Sequence, residues 1–194
     1  MPRIVPLEGP FEPDAENVLA AMMPPGVPPL ALFRTFARNL PMTEAMQDWG
    51  SYELSRRFSL SMRHRELVID RVTALCGCEY EWGVHVAFFA ERVGLTPAHL
   101  ASLTHGNPSD DCWTDPAERA LLELVDALHA TADIDDDGWA AVSEHFDDSQ
   151  LLDACLLAGW YHAISFVANA ARVPLEDGVP RFADVEGRTA GSRS

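Results

Sequence analysis

Between residues 76 and 85 the sequence CGCEYEWGVH gathers two cysteines, two glutamates, a tryptophan and a histidine. Cysteine supplies a nucleophilic thiolate, histidine titrates near neutrality and glutamate takes or gives a proton, so the segment carries the groups of thiol or acid–base chemistry. A helix starting near Cys78 puts Cys78, Glu81, Trp82 and His85 on one face, at steps of three, four and seven residues. Glu66 belongs to the preceding helical pattern, one turn from Met62 and from Ile69, and directs a carboxylate along an apolar stripe toward the place where the two helices meet.

Burial of Glu66 favours its neutral form, whereas an imidazolium at His85 favours the carboxylate, and opposed pressures of this kind tune acid–base groups. Glu66 and His85 therefore form a candidate proton-handling pair. The same spacing is also satisfied if Glu66 bonds Arg63 or Arg71 and His85 is a core histidine with both nitrogens engaged. At Cys78 a helix N-terminus favours the thiolate, but Glu79 and Glu81 oppose it. Cys76 and Cys78 form C-x-C and not the C-x-x-C of thiol redox motifs, and no second cysteine pair completes a zinc site. Glu66, Glu81 and His85 lack the further ligands of a recognised metal motif, so neither a metal nor another cofactor is expected. Tyr80, Trp82, Trp160 and Tyr161 are available as pocket walls, although aromatic residues at helical spacing are more often core, and Trp82 is the one taken as a candidate substrate contact. His162 and Asn169, seven residues apart, either reach the same pocket or form a buried polar pair in helix packing.

These side chains need helices to position them, and the rest of the chain reads as helical. Eight of the fourteen prolines fall in the first 29 residues, giving an extended or turn-rich arm over 1–28 with at most a short helix around Asp14 to Met23. The segment PLALFRTFARNL from Pro29 has helical periodicity, as does LSMRHRELVIDRVTALC after Ser59, with Met62, Ile69, Val72 and Cys76 along one stripe. A following helix is expected from near Glu79 to Gly94. Thr96 with Pro97, and Asp115 with Pro116 and Glu118 at the capping-box position, mark two more helix starts. DDDGWAAVSEHF reads as a short helix, and DDSQLLDACLLAGWYHAISFVANAARV as a long apolar one buried on most sides. No segment reads as a sheet strand. The expectation is all-α, with a single helical domain over 29–185 and a flexible polar tail over 186–194.

Composition limits the function classes. Hydrophobic residues make up 47% and charged residues 23% of the 194 positions, as in a folded globular protein. A formal charge of −16 repels nucleic-acid phosphates and anionic lipid. No run of about 18 consecutive apolar residues occurs, and MPRIVPLEGPFEP lacks the apolar region of a signal peptide, so a cytoplasmic protein without membrane or nucleic-acid partners is expected. Four cysteines are too few for a disulfide scaffold in a chain of this length.

The stretch RHRELVIDRVTALCGCEYEWGVHVAFFAERVGLT resembles the carboxymuconolactone decarboxylase family, which includes alkyl hydroperoxidase D. That family carries a glutamate in one helix, then YEWxxH or CxxCxxxH after a tight turn, and a glycine closing the second helix. Glu66, residues 80–85 and Gly94 match these, and the likeness covers roughly residues 55–105, with the later apolar helix similar to the closing helix of larger members. The resemblance implies an all-helical bundle of the alkyl hydroperoxidase D-like type, a homo-oligomer such as a trimer or hexamer, and a small-molecule substrate. In the peroxidase branch a glutamate, two cysteines and a histidine form a redox relay. Glu66, Cys78 and His85 match three of the four, but Glu81 stands in place of the second cysteine. A Cys76–Cys78 disulfide across one intervening residue is strained. The YEWxxH form is similar to the decarboxylase branch, implying cofactor-free acid–base chemistry on a small lactone or carboxylic acid. His85 is then the general acid or base, Glu66 its orienting partner, Glu81 a substrate-binding or protonating group, and Trp82 a substrate contact. The alternatives are a thiol peroxidase using Cys78, or a non-catalytic helical oligomer or small-molecule binder.

Overall fold

A computed structural model describes residues 1–185; the tail expected over 186–194 lies outside the described residues. The elements are α1 (Pro13–Ala21), α2 (Ala31–Phe36), α3 (Leu40–Glu53), α4 (Met62–Leu75), α5 (Glu79–Phe89), α6 (Pro97–His105), α7 (Pro116–Thr131), α8 (Asp136–Ser143) and α9 (Asp148–Ala171), followed by a short 3-10 turn at Phe182–Asp184. Among the described residues there is no strand, so the fold is all-α as expected.

The described chain divides into two compact units. The first comprises Met1–Phe58 and Val167–Asp177, and its arm does not stand apart from its helices. Arg34 and Arg38 donate to the carbonyls of Leu7 and Val5 at 2.9 Å each, which satisfies arm backbone that has no helical partner. The single helix expected from Pro29 is broken at Asn39, whose side chain accepts from the Met42 amide and starts α3 with Pro41 in its first turn.

The second unit, Ser59–Phe166 with the segment from Gly178, holds every candidate site residue. Its axis is α4, which packs against α5, α6 and α7. Ser61 caps α4 by accepting from the His64 amide. From Leu67 to Val72 every α4 side chain is buried, whereas Met62 in the first turn is 44% exposed. Arg71 ties three elements together, bidentate to Asp126 on α7 at 2.6 and 2.7 Å and donating to the Leu103 carbonyl at the end of α6.

Thr96 and Asp115 cap α6 and α7 as expected, but the reciprocal capping box forms at Thr96 with His99. Glu118 is unavailable for one because both of its oxygens accept from Arg63. α5 ends at Phe89, not Gly94: the chain unwinds over 90–94, with Gly94 at φ 70°. Asp147 and Gln150 bond each other's amides at the start of α9. By length and hydropathy α9 is apolar enough to cross a membrane although it holds no unbroken apolar run of that length; half of its most apolar stretch is buried in the protein. It is not enclosed on most sides, since Leu152, Leu156 and Phe166 are 57–66% exposed.

Candidate active site

The turn between α4 and α5 fixes the geometry. Gly77, at φ 59°, lets the chain reverse so that the Cys78 amide donates to the Thr73 carbonyl at 2.8 Å, closing α4 and aiming α5 back along it. Glu66 and His85 then face each other across the α4–α5 interface, with His85 Nδ1 2.8 Å from Glu66 Oε2. The other oxygen, Oε1, accepts from Nε and Nη2 of Arg65 at 2.8 and 2.7 Å. Glu66 is therefore matched by its chain neighbour, not by Arg63 or Arg71, which are committed to Glu118 and Asp126.

On its far side the His85 ring meets α9: Nε2 lies 3.0 Å from Tyr161 Oη. Glu81 completes the group, with Oε2 3.7 Å from Nε2. All four side chains are buried. Burial alone would strip His85 of its charge, but Glu66 and Glu81 outweigh it and raise its pKa to about 9, so the ring is an imidazolium at neutral pH. Burial also raises the Glu81 pKa, with His85 opposing. A third carboxyl, Asp70, which sequence reasoning passed over, sits one turn beyond Glu66. Its pKa is raised well above the usual range by burial and by Glu66, with His85 opposing, and its Oδ1 has no hydrogen-bond partner among the described residues.

The spacing of Tyr161 fits either a pocket wall or a core aromatic. It is buried, but its hydroxyl ends on His85, a contact that joins residues 76 apart and leaves no local signature in the sequence. Arg65 and Asp70 had a signal, since both flank Glu66 at positions adjacent and one turn away on α4.

Cys78 and Trp82 have other surroundings. Cys78 is wholly buried at the start of α5, and burial pushes its thiol up to about 11, overriding the helix terminus. The Ser165 hydroxyl lies beside both Cys78 and Cys76 and offsets only part of the rise. Trp82, expected to contact substrate, is fully enclosed in an apolar cluster with Leu67, Val86, Leu103 and Trp113, its ring 5.1 Å from that of Phe182. It faces the core because α4, α6 and the 178–185 segment all close over that side of α5. Gly83 belongs to the same closure: a Cβ there would meet the Pro180 carbonyl at 2.5 Å.

An imidazolium fixed on one nitrogen by a carboxylate, with the other nitrogen on a hydroxyl, can deliver a proton and take it back without moving the ring. With His85 charged, Nε2–H donates to Tyr161; with His85 neutral, the Tyr161 hydroxyl donates to Nε2.

Residues 41–127 match the carboxymuconolactone decarboxylase family. Among solved structures, the alkylhydroperoxidase AhpD core of an uncharacterized peroxidase-related protein from Ralstonia eutropha aligns with a TM-score of 0.75 and 17% identity over 90% of this chain and 93% of that one. An uncharacterized peroxidase-related protein from a Silicibacter species aligns at 0.75 and 19% over 92% and 93%. The debrominase Bmp8 in complex with 2,3,4-tribromopyrrole aligns at 0.71 and 16% over 90% and 91%. Comparison with curated proteins gives no match.

Proposed function

From the match of residues 41–127 to the carboxymuconolactone decarboxylase family and the AhpD-like fold, we propose that this chain is a cofactor-independent acid–base enzyme of that family acting on a small lactone or carboxylic acid. The observation that carries this reading is the placement of His85, buried and charged between Glu66 at 2.8 Å and Tyr161 at 3.0 Å. When a carboxylate leaves as carbon dioxide, the electron pair of the broken bond remains on carbon or spreads into a dienolate. The Nε2 proton of His85 quenches that charge, directly or through Tyr161, and a solvent proton restores the imidazolium. Glu66 holds the ring by Nδ1 and keeps it charged. Glu81, its acid form favoured by burial, donates to the substrate carbonyl oxygen onto which that charge spreads. General acid catalysis of this type contributes about 10²–10⁴-fold.

The second reading, a thiol peroxidase using Cys78, is favoured by the names of the structural relatives and by the half-buried Cys76 near the Cys78 thiol. It requires a thiolate that the burial of Cys78 disfavours. The exposed α9 face with Leu152, Leu156 and Phe166 supports the homo-oligomer that the family implies; a sedimentation profile of monomer alone would count against it.

The test compares wild type, His85→Ala and Cys78→Ser for decarboxylation of carboxymuconolactone-type acids and for dithiol-dependent peroxide loss. Decarboxylation lost in His85→Ala and kept in Cys78→Ser is the expected result. Peroxide loss that disappears in Cys78→Ser overturns it.

A further inference from the structure

Away from Glu66 and His85, the ends of α4 and α7 and the middle of α9 bring together Cys76, His129 and His162. One donor atom from each, the Cys76 sulfur and a ring nitrogen of each histidine, lies within 4.8 Å of the others. His129 Nδ1 and His162 Nε2 are 2.9 Å apart. We propose that these three side chains form a binding site for one divalent transition-metal ion of the zinc type, with its fourth coordination position open to solvent.

The donor set suits such an ion. One thiolate and two imidazoles are ligands that zinc takes in tetrahedral sites, and a three-ligand protein set leaves a place for water or substrate. Zn–N bonds of about 2.0–2.1 Å and a Zn–S bond of about 2.3 Å put tetrahedral nitrogens about 3.3 Å apart and sulfur about 3.6 Å from each nitrogen. The imidazoles have to part by a few tenths of an ångström from 2.9 Å, and Cys76 has to close in from at most 4.8 Å. Rotations of half-buried side chains supply movements of that size.

The outer contacts also fit. His162 Nδ1 lies 2.8 Å from the Ala158 carbonyl, so it carries the proton and presents Nε2 as a lone pair. A backbone carbonyl fixing the distal nitrogen is the usual support of a metal-bound histidine. Without metal, Nδ1–H of His129 donates to that lone pair, and ligation asks only that His129 move its proton to Nε2. Cys76 sits at the C-cap of α4, immediately before the Gly77 turn, so its backbone is fixed. His129 and His162 line a cleft of about 480 Å³ between α7 and α9, whose walls include Cys155, Ala158 and Gly159. The fourth ligand position faces this cleft, and Cys76 approaches from the protein side. Metal binding replaces the Cys76 thiol proton, so affinity rises with pH as that proton is released.

Co²⁺ titration of the full chain, reduced and stripped of metal, reads the site directly, because a cobalt–thiolate bond produces a charge-transfer band in the near ultraviolet. The proposal expects one Co²⁺ per chain, the band, and displacement by Zn²⁺. Cys76→Ser should abolish the band. His129→Gln and His162→Gln should each weaken Zn²⁺ binding by more than the roughly 10–100-fold that an outer-shell change costs, and His85→Gln should leave it unchanged. Circular dichroism identifies a variant that fails to fold, and either histidine variant then decides in its place. Absence of a charge-transfer band in wild type overturns the proposal, as does a band that survives Cys76→Ser or binding that survives both histidine changes.

Discussion

Glu66→Gln should discharge His85. The carboxylate oxygen lies 2.8 Å from Nδ1 in a buried pair. At an effective dielectric of about 20 that contact favours the imidazolium by about 6 kcal/mol, or roughly four pKa units. Burial acts in the opposite direction, and Glu81 at 3.7 Å adds a smaller attraction. A glutamine keeps the shape and still accepts from Nδ1–H, so the neutral ring stays in place while its charge is lost. The His85 pKa should fall from about 9 to below the ordinary histidine value of about 6.5. Histidine-labelled NMR across that range reads the change, with His85→Gln identifying the resonance. Stability gives a second readout whose sign is fixed. The folded pKa lies above the unfolded one, so the His85 contribution is complete below about pH 6.5 and disappears as the pH rises through about 9. Its size is on the order of 3 kcal/mol, and Glu66→Gln should flatten that window. The reasoning is refuted if His85 still titrates near 9 in Glu66→Gln, or at or below 6.5 in wild type.

Tyr161→Phe removes the hydroxyl 3.0 Å from Nε2; in the proposed reaction kcat should drop on the order of tenfold to a hundredfold, with the thermal midpoint near that of wild type, and an unchanged kcat would remove Tyr161 from proton transfer. A Cβ at Gly83 would sit 2.5 Å from the Pro180 carbonyl, so Gly83→Ala should cost about 1–3 kcal/mol in chemical denaturation; a midpoint equal to wild type contradicts the packing of the 178–185 segment. With a pKa of about 11, Cys78 is thiolate in roughly one molecule per thousand at pH 8. Native alkylation followed by mass spectrometry should therefore mark Cys112 well before Cys78, and rapid labelling of Cys78 would revive the thiol peroxidase reading.

Helix starts were legible where local chemistry decides them. Thr96 and Asp115, each followed by a proline, cap their helices with side-chain oxygens that accept from the His99 and Ala117 amides, and such bonds depend on little beyond the residues involved. Glu118 shows where that logic ends. Its spacing suited a capping box, but Arg63, 55 residues earlier in sequence, takes both oxygens. The end of α5 differs from expectation because Gly94 marks the last residue of the turn, whereas the regular helix ends at Phe89 and residues 90–94 form turns before α6. The α9 face failed differently. Its apolar residues were visible, yet a single chain leaves Leu152, Leu156 and Phe166 uncovered, and hydropathy does not distinguish a face that meets the core from one that meets another surface.

The candidate site divides along the same line. Helical spacing brought Glu66, Glu81 and His85 together, because residues on facing stripes of two antiparallel helices must meet when a tight turn joins them. Spacing says nothing of how much water each group keeps. Cys78 and His85 come from one helix and are both buried, yet their charge states part: the thiol loses its anion because no cation stands against it, while the imidazole keeps its cation because Glu66 does. Glu66 in turn is held by Arg65 at 2.7 Å. Arg65 thus neutralises the carboxylate that charges His85, and replacing it would act on His85 through Glu66. The choice between thiol and acid–base chemistry at this motif rests on that chain of three charges, two of them adjacent in α4 and the third 19 residues on, and not on which nucleophile the motif contains.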